Sequence, residues 1–504
     1  MSDLKETKVA APGAATDTDD NTLADIERPT PAANFSDSDG FRSKETDPEK
    51  SSIAAASIDG DNDDGDKEDG ADVVEGVRPD GEAAPAGPPA GGFSFHDVPD
   101  GGWRAWLLVF GAWCTSFCSF GWINSVGVFQ EYYETGPLST YSSSTVAWIP
   151  SLQIFFIMAM GPIIGRLFDS YGPRYIILVG TFMHVFGLMM ASISTSYYQL
   201  LLSQGVCSAI GVAAIFQPAL NCIPGWFNKR RGAAYGIVST GSSLGGVIYP
   251  IMVSRLIDSI GYGWAMRACA FLILGLLIIA NLTIHSRFHA HPNFKPSGSL
   301  SRAQLIAPFV EPGFALLLLG MFFLTFGIFV PITYIPVSAL ATGHVSETLA
   351  QYTVSILNAL SLFGRLLSGW ASDKIGKYNS FIVSCYCAGI VVLALWIPGT
   401  SKSAVLAFAA LFGFFSGAYI SLIASLVAQV SPHKEIGYRT GLVFLVGSVP
   451  GLVTSPIAGA ILAEHNNTNW VGVKVFSGVL LLVGSTATLM ARGAFAGFSP
   501  RAVF

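Results

Sequence analysis

Hydrophobic and polar positions along this chain separate into blocks. Up to about residue 100 the apolar residues are scattered among Asp, Ala, Pro, Gly and Ser, as in "DGDNDDGDKEDG". From Trp103 onward they run in stretches of about twenty or more, the length a helix needs to cross a hydrocarbon core about 30 Å thick. Twelve such stretches are predicted, near residues 104–130, 145–168, 174–194, 198–222, 232–254, 264–285, 308–334, 347–370, 379–398, 403–429, 438–462 and 470–492. The longest break, "HSRFHAHPNFKPSGSLSR", divides them six and six. The predicted fold class is an all-α membrane protein built as two six-helix pseudo-repeats. Its divisions are an acidic tail (1–100), a first half (101–285), a linker (286–307) and a second half (308–504).

Composition sharpens this division. Of 504 residues, 51% are hydrophobic and only 12% charged, about half the charged fraction of an ordinary soluble chain. Residues 1–100 hold 25 of the 34 acids and 8 of the 28 bases, a net charge of −17, whereas the remainder carries +11. A segment so polar and so charged cannot bury enough apolar surface to offset its chain entropy, so disorder is expected. It lacks the basic and apolar regions of a cleaved signal. A solubilising spacer and a docking segment for regulatory proteins both remain open roles for it. Cys114, Cys118, Cys207, Cys222, Cys269, Cys385 and Cys387 all lie inside apolar segments, as buried free thiols do.

Charge also orients the helices. With a cytoplasmic N-terminus, the inner loops and helix ends hold fifteen Lys and Arg and the outer side four (Arg255, Arg267, Lys402, Lys474). This asymmetry follows the positive-inside rule, and an even number of spans returns the C-terminus to the cytoplasm. A repeated motif supports the duplication. Gly165-x-x-x-Asp169-x-x-Gly172 follows the second stretch, and Gly369-x-x-x-Asp373-x-x-Gly376 follows the eighth, 204 positions later.

Three stretches carry a family resemblance. "DGGWRAW" (100–106) opens the first helix, "WFNKRRGAAYGIVSTGSSLG" (226–245) joins the fourth and fifth, and the two Gly-x-x-x-Asp-x-x-Gly loops lie at equivalent places. In these, residues 100–492 resemble the major facilitator superfamily, and more narrowly its monocarboxylate-transporter-like family in the fungal branch. The resemblance implies two halves rocking about a central path lined by helices 1, 4, 7 and 10, with no cofactor. It also implies an arginine at Arg365. The lysine that animal monocarboxylate carriers use falls on Asn124, and the aspartate one turn before the arginine falls on Ser361.

Arg365 invites a chemical reading, because a guanidinium in a membrane helix is costly and faces a cavity or a partner. It lies eight residues, about 12 Å, inward of Asp373. Asn358, Ser361 and Arg365 share one helix face. A planar fork on such a face suits a carboxylate, although a structural role at the inner gate is the alternative. Further cavity candidates are Asn124, Gln217, Tyr334 and Tyr419, each also suited to an interhelical hydrogen bond. Phe408, Phe412, Phe415 and Tyr419 form a stripe, either packing or cavity wall. Asp169 with Arg174, and Asp373 with Lys377, are expected to make charge contacts that gate the inner side.

No acid lies near the middle of any span. Facilitated diffusion, exchange, or protons carried through Glu131 as a coupling ion all remain open, and the buried His184 is expected to be a packed neutral imidazole rather than a proton carrier. His285, His289 and His291 lack carboxylate partners for a metal. Asn466-Asn467-Thr468 is a sequon in a short loop. No nucleophile–base set points to an enzyme, and no nucleic-acid partner is expected. The first functional expectation is a secondary transporter of a carboxylate-bearing organic solute in a lipid bilayer, most simply the plasma membrane, with vacuole or peroxisome as alternatives. The second is an exporter of a fungal secondary metabolite, and the third a transport-dead nutrient sensor.

Overall fold

The computed structural model describes residues 98–290, 301–467, 469–499 and 503–504. Expectations placed on residues 1–97, on His291 and on Thr468 of the sequon lie outside these residues. Twelve helices are long and apolar enough to cross a membrane. They are α1 (Trp103–Thr135), α2 (Ser144–Tyr171), α3 (Pro173–Ala191), α4 (Tyr197–Gly225), α5 (Arg231–Ile260) and α6 (Tyr262–Thr283) in one half. The other half holds α7 (Pro312–Ala341), α8 (Glu347–Ile375), α9 (Lys377–Trp396), α10 (Lys402–Val430), α11 (His433–Ala463) and α12 (Trp470–Ala496). Among the described residues there is no strand.

Local chemistry sets the turns. Gly172 and Gly376, closing the two loop motifs, have φ of +77° and +99°, where a side chain would strain the backbone. Pro173 and Lys377 then start α3 and α9. Met160 interrupts α2 between two helical segments, and α1 carries a π-helical stretch at Phe117–Gly121. Close helix pairs rest on small residues: a methyl added to Gly121 would stand 2.9 Å from Gly245 Cα, and one on Gly320 3.1 Å from Gly484 O. Such contacts let backbones approach where lipid offers no hydrophobic drive to association.

Two segments depart from the sequence expectation. Part of the linker is a helix, Arg302–Val310, with Ser301 and Gln304 forming a capping box. Asp100, placed in the tail by composition, instead accepts hydrogen bonds from Asn228 N (2.5 Å) and Lys229 N (2.6 Å) in the loop before α5. That contact gives the "DGGW" opening a structural purpose: it ties the start of α1 to the start of α5.

Each half is built on an apolar core, the first of which also takes in Ala424 and Phe444 from the second half. Phe408 and Phe412 are buried in the second, with Phe408 stacked on Trp396 at 4.9 Å, and Phe415 packs at its edge. His184 is fully buried in the first half between Ser208 Oγ (2.9 Å) and the Cys118 carbonyl (3.1 Å). His289, outside the spans, packs its ring on Phe168 at 5.1 Å, and burial lowers its imidazole pKa below the usual value.

Candidate functional site

The halves meet along two seams, α2 against α11 and α5 against α8. At the loop-motif end each seam is tied by a carboxylate on a helix N-terminus. Asp169 accepts from Gly437 N and Tyr438 N, both at 2.8 Å. Asp373 accepts from Gly232 N (2.7 Å) and Ala233 N (2.8 Å). The first turn of a helix leaves backbone N–H groups unpaired and carries the positive end of the dipole, so a buried carboxylate is well held there. Each carboxylate thus takes backbone N–H partners rather than a direct ion pair, while Lys377 adds a longer-range attraction to Asp373. Neither Arg174, which is exposed, nor Lys377 forms an ion pair among the described residues. The geometric reason is that the start of the facing helix lies directly against each carboxylate.

Arg439, at the start of α11, makes two ion pairs. It grips Glu311 bidentately (2.6 and 2.7 Å) and reaches Glu435 at 3.1 Å. The same end is packed by Phe216 on Phe444, centroids 6.1 Å apart, and by Arg231 Nη1 donating to the Ala428 carbonyl at 3.4 Å.

Deeper in the α5–α8 seam lies Arg365, 3% exposed. Its Nε donates to Ser361 Oγ at 3.1 Å, and its Nη1 donates to the Ser239 carbonyl and to Ser242 Oγ. The guanidinium therefore bolts α8 to α5 through neutral groups. No carboxylate pairs with it among the described residues. Two turns further from the loop motifs, Asn358 Nδ2 donates to Asn124 Oδ1 at 3.3 Å, joining α8 to α1. Gly246 of α5 backs this pair, since a methyl there would stand 3.0 Å from both side-chain carboxamide carbons. The inter-half hydrogen bonds described here all lie between the loop motifs and this pair.

Beyond the pair the walls open. On α1, Gly127 and Glu131, one and two turns past Asn124, are exposed, and an added methyl at Gly127 would meet nothing within 4 Å. On α8, Ser355 is half-buried and Gln351 exposed. Exposure thus falls steadily along one face of α8 from Gln351 through Ser355 and Asn358 to Arg365.

The other sequence candidates sit apart. Tyr419 shares a 2.6 Å hydrogen bond with Thr325 inside the second half. Tyr334 donates to the Ser455 carbonyl at 2.8 Å, joining α7 to α11. Gln217 is buried on α4, and neither amide atom finds a hydrogen-bond partner among the described residues. The structure therefore brings Asn124, Asn358, Ser361 and Arg365 to one seam and leaves Gln217, Tyr334 and Tyr419 elsewhere. Sequence reasoning missed Ser239 and Ser242, whereas Gly246 was legible as one of the small residues of α5 suited to close packing. The signal for the serines was present: with Gly236 and Gly246 they recur at three- and four-residue spacing on one face of α5, opposite the polar face of α8.

Comparison with known proteins places this geometry. The chain is 60% identical over 394 residues to the MFS transporter asaE of Aspergillus flavus, covering 78% of this chain and 88% of that protein. It is 57% identical over 399 residues to the fujikurins efflux protein of Gibberella fujikuroi, covering 79% and 84%. Among solved structures, the human organic anion transporter MFSD10 (TETRAN) matches with a TM-score of 0.61 at 15% identity, over 76% of this chain and 99% of that one. Identity that low shows the fold alone. The curated relatives redirect the narrower expectation of a monocarboxylate carrier, because they are fungal MFS transporters and several of them are named for efflux, of fujikurins, aspyridones or agnestins. Residues 105–412 and 317–496 match the Major Facilitator Superfamily, and the chain belongs to it.

Proposed function

We propose that this protein exports a small organic secondary metabolite by alternating access, the second of the functional readings open to the sequence. The observation that carries it is the 57% identity, over 79% of the chain, to a protein named for the efflux of fujikurins. The seams supply a means. Two carboxylate-to-helix contacts close one end, while the walls beyond Asn124 and Asn358 stand apart, as a transporter open on one side requires. On the charge bias of its loops, the closed end is cytoplasmic and the open end releases the cargo.

An anionic cargo is the second reading, favoured by the buried Arg365 with no carboxylate partner among the described residues. Its bonds to Ser361, Ser239 and Ser242 give it a structural occupation that a carboxylate would have to displace.

The test is export from a yeast host loaded with fujikurins. Cells expressing the chain should retain less and release more than cells carrying the Arg365→Lys variant at equal membrane amounts. Equal retention by cells expressing wild type and by cells lacking the protein would exclude fujikurin-type cargo. Loss of the phenotype on deleting residues 1–90 would support a sensor instead, since an exporter lacking that tail should still move its cargo.

A further inference from the structure

We propose that the paired carboxamides of Asn124 and Asn358 are the substrate-reading group of this transporter, and that they select an uncharged donor–acceptor edge such as an amide, or a hydroxyl beside a carbonyl. The inference rests on the efflux reading and names the class of cargo.

Hydrogen-bond capacity carries the argument. A carboxamide offers two N–H donors and an oxygen with two acceptor sites. Asn358 Nδ2 uses both donors, one on the Val354 carbonyl (3.1 Å) and one on Asn124 Oδ1 (3.3 Å). Asn124 Nδ2 uses one donor on the Phe120 carbonyl (2.7 Å). What remains is one N–H and one acceptor site on Asn124, together with the Oδ1 of Asn358, which accepts no hydrogen bond from the described residues. Asn358 is 94% buried, being 6% exposed, so its carbonyl is a fixed acceptor rather than a mobile surface amide.

Three features aim this edge at cargo. Each amide is anchored to its own helix one turn back, at Phe120 and Val354. Gly246 presses on both from behind, so neither can swing toward α5. In front lies the open stretch between Gly127 and Glu131 on one wall and Ser355 and Gln351 on the other. The pair is thus the floor of the opening, reached before Arg365, which lies seven residues deeper with its Nε and Nη1 bonded to serines. The exposed carboxyl of Glu131, two turns above Asn124 on the same helix, adds a negative charge to the approach. Neutral amides bind a neutral polar edge without desolvating a charge. A site built for hydrogen bonding also rejects analogues that cannot complete it.

The experiment uses the full chain in proteoliposomes with fujikurins and a matched probe pair, 4-phenylbutanamide and 4-phenylbutanoate. Wild type should move the amide about tenfold faster than the carboxylate. Asn124→Leu and Asn358→Leu should each slow the amide about tenfold, the worth of a neutral hydrogen bond, and bring the ratio of the two probes toward one. A purely structural role would slow both probes together and leave the ratio unchanged. If the leucine variants fail to reconstitute, Asn124→Ser and Asn358→Ser give the same readout with smaller volume change. A wild type that prefers the carboxylate, or variants that keep the wild-type ratio, overturns the inference while fujikurin export leaves the efflux reading standing. No transport of fujikurins or of either probe by wild type overturns both.

Discussion

The two seams between the halves are related by the internal repeat, and they do different work. An offset of 204 residues carries Asp169 to Asp373 and Gly165 to Gly369, while an offset of 205 carries Gly437 to Gly232, Gly441 to Gly236 and Gly451 to Gly246. At the loop-motif end the seams match: a carboxylate on a helix start, then glycine against glycine. Deeper in, they diverge. In the α2–α11 seam, Gly161 faces Gly441 and Ile154 faces Gly451. At the equivalent places in the α5–α8 seam, Arg365 faces Gly236 and Asn358 faces Gly246. Phe444 and Gly447 likewise correspond to Ser239 and Ser242. One seam became a dry packing surface and the other gathered the polar chemistry. The duplicated scaffold thus keeps its latches in both seams and concentrates its polar groups in one.

The comparison can be broken most sharply where the seams are alike. Added methyls at Gly165 or Gly441 would run into the backbone of Gly437 or Gly161. Overpacking of that kind costs about 1–3 kcal/mol or more. Gly165→Ala and Gly441→Ala should therefore keep the loop-motif end from closing and cut transport at least about tenfold. Alkylation of a cysteine placed at the buried Ser425, in a cysteine-free background, should rise in step.

Next in size comes Arg365→Lys, which cannot reproduce the fork that spans Ser361, Ser239 and Ser242. Losing charged hydrogen bonds worth about 1.5–3 kcal/mol each should reduce transport by about tenfold or more without changing the amount of protein in the membrane. Wild-type rates in this variant would reduce the α5–α8 chemistry to packing. Asp169→Asn and Asp373→Asn should have smaller and nearly equal effects, about 1 kcal/mol from the weakened charge–dipole contact. Each should raise Ser425→Cys labelling a few-fold, and a large difference between them would show that the latches are not equivalent. The smallest effects are expected outside the seams, where Tyr419→Phe and Tyr334→Phe remove one neutral hydrogen bond each. Transport should stay within about threefold of wild type, with the amide-to-carboxylate ratio unmoved.

The predicted helices proved legible because membrane spans are written in continuous apolar length, which needs no knowledge of neighbours. Boundaries were less so. Several helices run past the apolar stretch, as α1 does to Thr135 and α8 to Ile375, since helical backbone bonding continues where hydropathy falls. The face of α8 bearing Asn358, Ser361 and Arg365 was visible from spacing alone. The partners of that face were not. Gln217 and Tyr419 looked like equal candidates, because a polar residue in an apolar span carries no mark of whether it meets a cavity, a neighbour or another helix's carbonyl.

By itself, then, the chain of residues determined twelve membrane-crossing helices, their duplication, the acidic character of the first hundred residues and one buried guanidinium in need of a partner. These follow from composition and period, which act within a single segment. Tertiary structure alone decided that the loop-motif carboxylates cap helices of the opposite half, that Arg365 is held by serines of α5, and that Asn124 meets Asn358 over Gly246. Those contacts join residues more than a hundred positions apart. Their energies depend on distances that only the packing of one half against the other creates.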